Sequence, residues 1–173
     1  MTKGPIARLA ASSMLALAVL AAPIAVMAQE KATVLEPAQL EKLIPPRVFY
    51  RGQITTTELR NSGGVKFADG YYLLASLVDT SGYSNAVAAK FQAYLITEVP
   101  IHVNGTQVGA GTYGIGFIAG DKFAVTDVGG HIVTTVDAST DSKLERPRPL
   151  ELLAEPGMSF RLYEGRKYVE LKR

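Results

Sequence analysis

An all-β fold is what this chain predicts: an antiparallel β-sandwich or small barrel of about nine or ten short strands, preceded by a signal peptide and one short helix. Three observations carry the prediction. Beyond Val48 the apolar residues recur mainly with a period of two, as a strand requires when successive side chains point to opposite faces. Turn-forming pairs, among them Asp69-Gly70, Asn104-Gly105 and Glu164-Gly165, cut the chain into short runs. Those runs do not alternate with long helical patterns, so parallel βαβ units are not indicated.

The 173 residues divide into three expected parts: 1–28, 29–47 and a single β domain over 48–173. In the first, Lys3 and Arg8 precede an uncharged apolar run, and Val26-Met27-Ala28 ends it with small residues placed for cleavage. That order is the layout of a secretory signal peptide, so the protein is expected to be exported, to the periplasm or the extracellular space. The run is also about long enough to be retained as a membrane anchor. Pro23 and the small-residue site favour cleavage. Within 29–47, Glu36 and Pro37 suit a first helical turn, Leu40, Leu43 and Ile44 share one face, and Pro45-Pro46 ends the helix.

The strands follow in order. Residues 48–57 form one run. Residues 71–78 are continuously apolar between two turn clusters, which predicts a strand buried on both faces. From Val87, alternate residues Val87, Ala89, Phe91, Ala93 and Leu95 predict a strand. A helix over 84–93 is the competing reading, because Ala and Lys are good formers. The β-favouring Tyr94-Leu95-Ile96-Thr97 tips the choice to strand. Residues 101–103 and 106–108 flank Asn104-Gly105, the pair a type I′ hairpin prefers. That turn explains the sequon Asn104-Gly105-Thr106 without a glycan. Further strands are expected at 112–118, 122–128 and 132–136. Residues 138–149 are polar and contain proline, making the longest loop. A last hairpin pairs 159–163 with 166–171.

Gly109, Gly111 and Gly114 spell G-x-G-x-x-G, the dinucleotide fingerprint. The fingerprint works only where a helix begins inside it and offers its free N–H groups to phosphate. Here Thr112-Tyr113-Gly114-Ile115-Gly116-Phe117 alternates as a strand. Tyr113, Ile115 and Phe117 share one face, and Gly114 and Gly116 leave the other bare so that a neighbour can come close. No nucleotide cofactor, or other cofactor, is therefore expected. The segment GAGTYGIGFIAGDKFAVTDVGG, with RPRPLELL and FRLYEGRKYVEL after it, resembles secreted bacterial proteins of unknown function that carry a C-terminal "AGTY" β-hairpin. The resemblance covers about residues 65–173. It implies an exported β-rich fold and carries over no site residue.

The remaining composition narrows the function classes. The full chain has 18 basic and 16 acidic residues, but the leader holds two of the bases, so the mature chain is formally neutral and no nucleic-acid partner is indicated. The absence of cysteine excludes disulfides and a lipidated cysteine anchor. No second long apolar run follows, so no helical membrane span is expected after cleavage. An outer-membrane barrel is disfavoured by the charged terminus Lys172-Arg173 and by residues 71–78, which do not alternate. His102 and His131 are the two histidines. With Asp127 they are the candidates for a metal-dependent or hydrolytic centre, though the bland alternative is a pair of exposed strand histidines. Asp121, Asp127 and Asp137 lack the spacing of a calcium loop. Arg146 and Arg148, beside Glu145, are candidates for an acidic partner, and Tyr94 for a binding surface, against the alternative of core packing. These observations favour a non-catalytic module that binds a protein or small-molecule ligand over an enzyme using His102, His131 and Asp127.

Overall fold

The computed structural model describes Met1 and residues 31–173; the expected leader, apart from its first residue, lies outside the described residues. In chain order the first elements are β1 (Thr33–Val34), α1 (Pro37–Leu43), β2 (Arg47–Tyr50), β3 (Gln53–Lys66) and β4 (Tyr72–Val78). Then come α2 (Asn85–Ala88), β5 (Ala93–Thr97), β6 (Ile101–Val103), β7 (Thr106–Val108), β8 (Gly111–Ile118) and β9 (Lys122–Thr126). The chain ends with β10 (Ile132–Asp137), β11 (Ser139–Thr140), β12 (Glu151–Glu155), β13 (Ser159–Glu164) and β14 (Lys167–Lys172).

Every ladder is antiparallel. The strands form two sheets and no closed barrel, which decides between the two expected architectures. The eight-stranded sheet runs β1-β3-β4-β5-β8-β9-β10, with β2 paired to β3; the six-stranded sheet runs β12-β13-β14-β6-β7, with β11 paired to β14. The main core lies between them. Leu73, Leu95, Ile115 and Val125 from the first sheet meet Val103, Leu162, Val169 and Leu171 from the second.

The first sheet is apolar on its outer face as well, and a third layer covers it. Helix α1 begins with Pro37 and a reciprocal capping box between Glu36 and Gln39. It lays Leu40, with Ile44 just beyond its end, against Leu35 and Leu74. The β2–β3 hairpin and the segment around α2 bring Val48, Tyr50 and Phe91 onto Val78 and Tyr94. Strand β4 is thus buried on both faces, as a run interrupted only by Ser76 predicts: Leu73, Leu74, Ala75 and Ser76 are all buried.

Tyr113, Ile115 and Phe117 pack toward the main core, and the bare face of β8 receives the hairpin. A β-carbon on Gly114 would lie 2.5 Å from Tyr50 Cε2, and one on Gly116 would lie 2.9 Å from the Lys90 carbonyl oxygen. The Tyr50 ring stacks on Phe91 at 3.7 Å, and its hydroxyl lies 2.7 Å from Thr126 Oγ1.

Several expectations need correction. Residues 48–57 are not one run, because Arg51 and Gly52, with φ of 49° and 79°, make a tight hairpin turn. The second strand then continues to Lys66, through the Gly63-Gly64 pair. Residues 87–92 are not strand: α2 begins after Ser84, Phe91 N–H bonds the Val87 carbonyl, and the sheet resumes at Ala93. Local helix propensity wins there because Val87 and Phe91, four apart, fall on one side against Tyr50. Strand β12 was not anticipated, since Glu-Leu-Leu-Ala-Glu consists mostly of good helix formers; pairing with β13 overrides that preference. The 138–149 loop contains β11, and the 101–108 hairpin forms as expected, with Asn104 and Gly105 at φ of 44° and 82°.

Candidate functional site

The sequence-derived candidates do not converge. Tyr94 is a core residue, 8% exposed and packed edge-on to Phe91, so the surface role is corrected to packing. His102 is exposed on β6 of the six-stranded sheet, opposite Gln107 and Lys172. Asp127 and His131 belong to the other sheet, in the turn joining β9 to β10. The His131 N–H donates to Asp127 Oδ1 at 2.9 Å, and its Nδ1 lies 3.0 Å from Oδ2. These bonds, the backbone one foremost, hold the Asp127 carboxyl below its ordinary range. With its imidazole 83% exposed, His131 closes a turn on the surface. Among the described residues no group of three or more His, Cys, Asp or Glu side chains is placed to hold a metal ion, so His102 does not join the Asp127–His131 pair in a donor set.

Arg146 and Arg148 lie on the segment after β11. Arg146 is exposed and forms no ion pair among the described residues. Arg148 Nε is 3.9 Å from Glu151 Oε2, and its carbonyl accepts the Gly165 N–H. Arg166 pins the same segment by donating from Nη1 to the carbonyls of Asp141, Ser142 and Leu144. Asn104, whose sequon the turn explains, donates from its side-chain amide to the Asp137 carbonyl.

A different place has the shape of a site. At one end of the sandwich, the β3–β4 turn, the β12–β13 turn and the residues leading into β1 surround a hollow of about 290 Å³. Its lining is Lys31, Ala32, Phe67, Ala68, Met158, Phe160 and Arg173. A neighbouring hollow of about 320 Å³ shares Lys31, Ala32, Met158 and Phe160 and adds Glu155 and Ser159. Phe67 and Phe160 meet edge to face at 6.3 Å and are themselves buried, so they form an apolar floor. Met158, 73% exposed, lines the hollow from a turn in which Gly157 and Met158 both have positive φ.

The polar rim is fixed by one strong pair. Arg173 donates from both Nη atoms to the two oxygens of Asp69, each at 2.6 Å, while its guanidinium carbon lies 5.1 Å from the Phe67 ring centre. The pair pulls the Asp69 carboxyl below its ordinary value, chiefly through that hydrogen bond, and ties the end of the chain to the β3–β4 turn. Chemically, the place offers apolar surface with charge at its mouth. Sequence reasoning did not find it, since Lys31, Phe67, Met158 and Arg173 carry no shared pattern; the one local signal was a methionine placed directly after the turn pair Pro156-Gly157.

Comparison with protein-family models, with curated proteins and with solved structures finds no match to this chain. Among the described residues no helix is long and apolar enough to cross a membrane.

Proposed function

We propose that this protein is an exported, non-catalytic binding module, and that the apolar hollow at the end of the sandwich is its ligand site. The export part of the reading rests on the leader pattern in residues 1–28. The single observation that carries the binding part is the hollow floored by Phe67 and Phe160, with Met158 in its lining. Ligand sites are typically concave and mostly apolar, with a few polar groups that fix orientation. Methionine suits such a lining because its unbranched thioether adapts to what it contacts. A small ligand, rather than a large one, fits a volume at the low end of ordinary pockets.

The test is a nuclear magnetic resonance screen of small amphipathic compounds against the mature chain, with Ala68→Trp as the filled-site control. Ala68 is exposed at the hollow, so an indole there occupies the space without entering the core. Binders are expected to shift Phe67, Met158 and Phe160 resonances in the wild type and not in Ala68→Trp at equal thermal stability. Shifts confined to other surfaces, or binding indifferent to Ala68→Trp, overturn the reading.

A further inference from the structure

We propose that Asn104 is a site of spontaneous modification, converted by attack of the Gly105 amide nitrogen on its side chain, and that until then its carboxamide clasps the two sheets together. Of the asparagines at 61, 85 and 104, only Asn104 precedes a glycine. Glycine matters because it has no side chain to shield its amide nitrogen. Gly105 is exposed, and a β-carbon built on it would meet nothing within 4 Å, so base and water reach the peptide. Water is the only outside reagent the reaction needs. The Gly105 nitrogen bonds to Asn104 Cγ, the Cγ–Nδ2 bond breaks, and ammonia leaves with the proton from the attacking nitrogen. Water then opens the five-membered imide at either carbonyl, leaving aspartate or isoaspartate at position 104.

The fold puts a lock on the reacting group. Asn104 Nδ2 donates to the Asp137 carbonyl, and Asn104 Oδ1 accepts from the Glu170 N–H at 2.6 Å. Ring closure turns the carboxamide and makes Cγ tetrahedral, so both bonds are given up on the way. The same two bonds tie the sheets. Asp137 ends β10 of the eight-stranded sheet, whereas Glu170 lies in β14 and Asn104 in the β6–β7 turn of the six-stranded one. The peptide joining Asp137 to Ala138 is held at both ends, its carbonyl by Asn104 and its N–H by the Asp121 carbonyl at 2.7 Å. An ionised aspartate at 104 still accepts from the Glu170 N–H but has no proton to offer the Asp137 carbonyl. One bond of the clasp is kept and the other becomes a repulsion between two oxygens.

The experiment ages the purified protein in mildly alkaline buffer, folded and in urea, and maps aspartate and isoaspartate by peptide mass spectrometry. Conversion is expected at Asn104 ahead of Asn61 and Asn85, and about tenfold or more slower in the folded protein, because two hydrogen bonds must open first. Amide hydrogen exchange then compares wild type with Asn104→Asp and Asn104→Gly, both of which keep a pair that the turn favours. Asn104→Asp should quicken exchange of the Ala138 N–H while the Glu170 N–H stays protected, and Asn104→Gly should quicken both. The aspartate fraction of aged wild type, isolated by ion exchange, should repeat the Asn104→Asp pattern, and it carries the test should that variant fail to fold. Conversion at Asn104 that is as fast folded as unfolded, or that is absent in urea or trails Asn61 or Asn85 there, overturns the locked site. Ala138 exchange unchanged by the aspartate overturns the clasp.

Discussion

Adding one methyl group at position 114 should cost this fold more than its size suggests. Gly114 lies within β8 and its φ is outside the left-handed region, so alanine meets no backbone strain there. The cost is set by packing. Favourable carbon–carbon contacts lie at about 3.5–4.0 Å. The new Cβ would stand 2.5 Å from Tyr50 Cε2, 2.9 Å from Phe91 Cδ2 and 2.7 Å from Thr126 Oγ1. The Tyr50 ring cannot simply turn away, because Phe91 stacks on it at 3.7 Å and Thr126 holds its hydroxyl. Overpacking of this kind costs about 1–3 kcal/mol, and an overlap near 1 Å places this case at the upper end. The opposing gain, from restricting the unfolded chain, is about 0.4–1 kcal/mol. A net loss remains. For a chain of this length each kcal/mol moves the midpoint by about 2–4 °C, so the thermal melt should fall by roughly 3–10 °C. Gly82→Ala is the control: its Cβ would meet Gln53 Oε1 at an ordinary 3.4 Å, so its midpoint should hold or rise. Trimming the obstruction with Tyr50→Leu should make the two changes non-additive, with Gly114→Ala costing less in that background. A midpoint for Gly114→Ala at or above the wild type would refute the packing argument.

Three further outcomes follow from the same structure. Tyr50→Phe removes a buried hydroxyl while Thr126 Oγ1 keeps its bond to the Gly114 carbonyl, so chemical denaturation should show a loss of about 0.5–1.5 kcal/mol; no loss would mean the Tyr50–Thr126 bond has no net value. Burial raises the Glu164 carboxyl above its ordinary 4.5, outweighing the opposing pull of Lys167. A raised carboxylate binds its proton more tightly folded than unfolded, so its contribution to stability is lost as pH rises through that window. Glu164→Gln should therefore stabilise at neutral pH and match the wild type below pH 4.5, as paired denaturation curves would show. Arg166→Ala should release the 141–149 segment, read as faster amide exchange there with the two-sheet core still protected; unchanged exchange would show that the Nη1 contacts do not hold it.

The legible part of the fold is the part specified by neighbours in sequence. Helix α1 could be read from Glu36, Pro37 and the 40-43-44 stripe, and the 101–108 hairpin from Asn104-Gly105, because capping and turn chemistry act within a few residues. The bare glycines of β8 announced a close neighbour without naming it. Where local and long-range preferences competed, the reading failed in both directions. Residues 85–88 kept their helical preference because Phe91 had an aromatic cluster to join. Residues 151–155 surrendered theirs because β13 offered a ladder and the core a place for Leu152.

The sequence by itself determined a cysteine-free β fold, a buried strand within residues 71–78 and a glycine strand that is no phosphate loop. Only tertiary structure decided that Tyr50 fills the place opposite Gly114, that His102 and His131 belong to different sheets, and that Phe67 and Phe160 floor one hollow. The reason is physical: turns and periodicity are set by dihedral preferences and the alternation of side chains along one strand. A surface assembled from residues 31, 67, 158 and 173 depends on how two sheets pack, and that is settled by shape and burial across the whole chain.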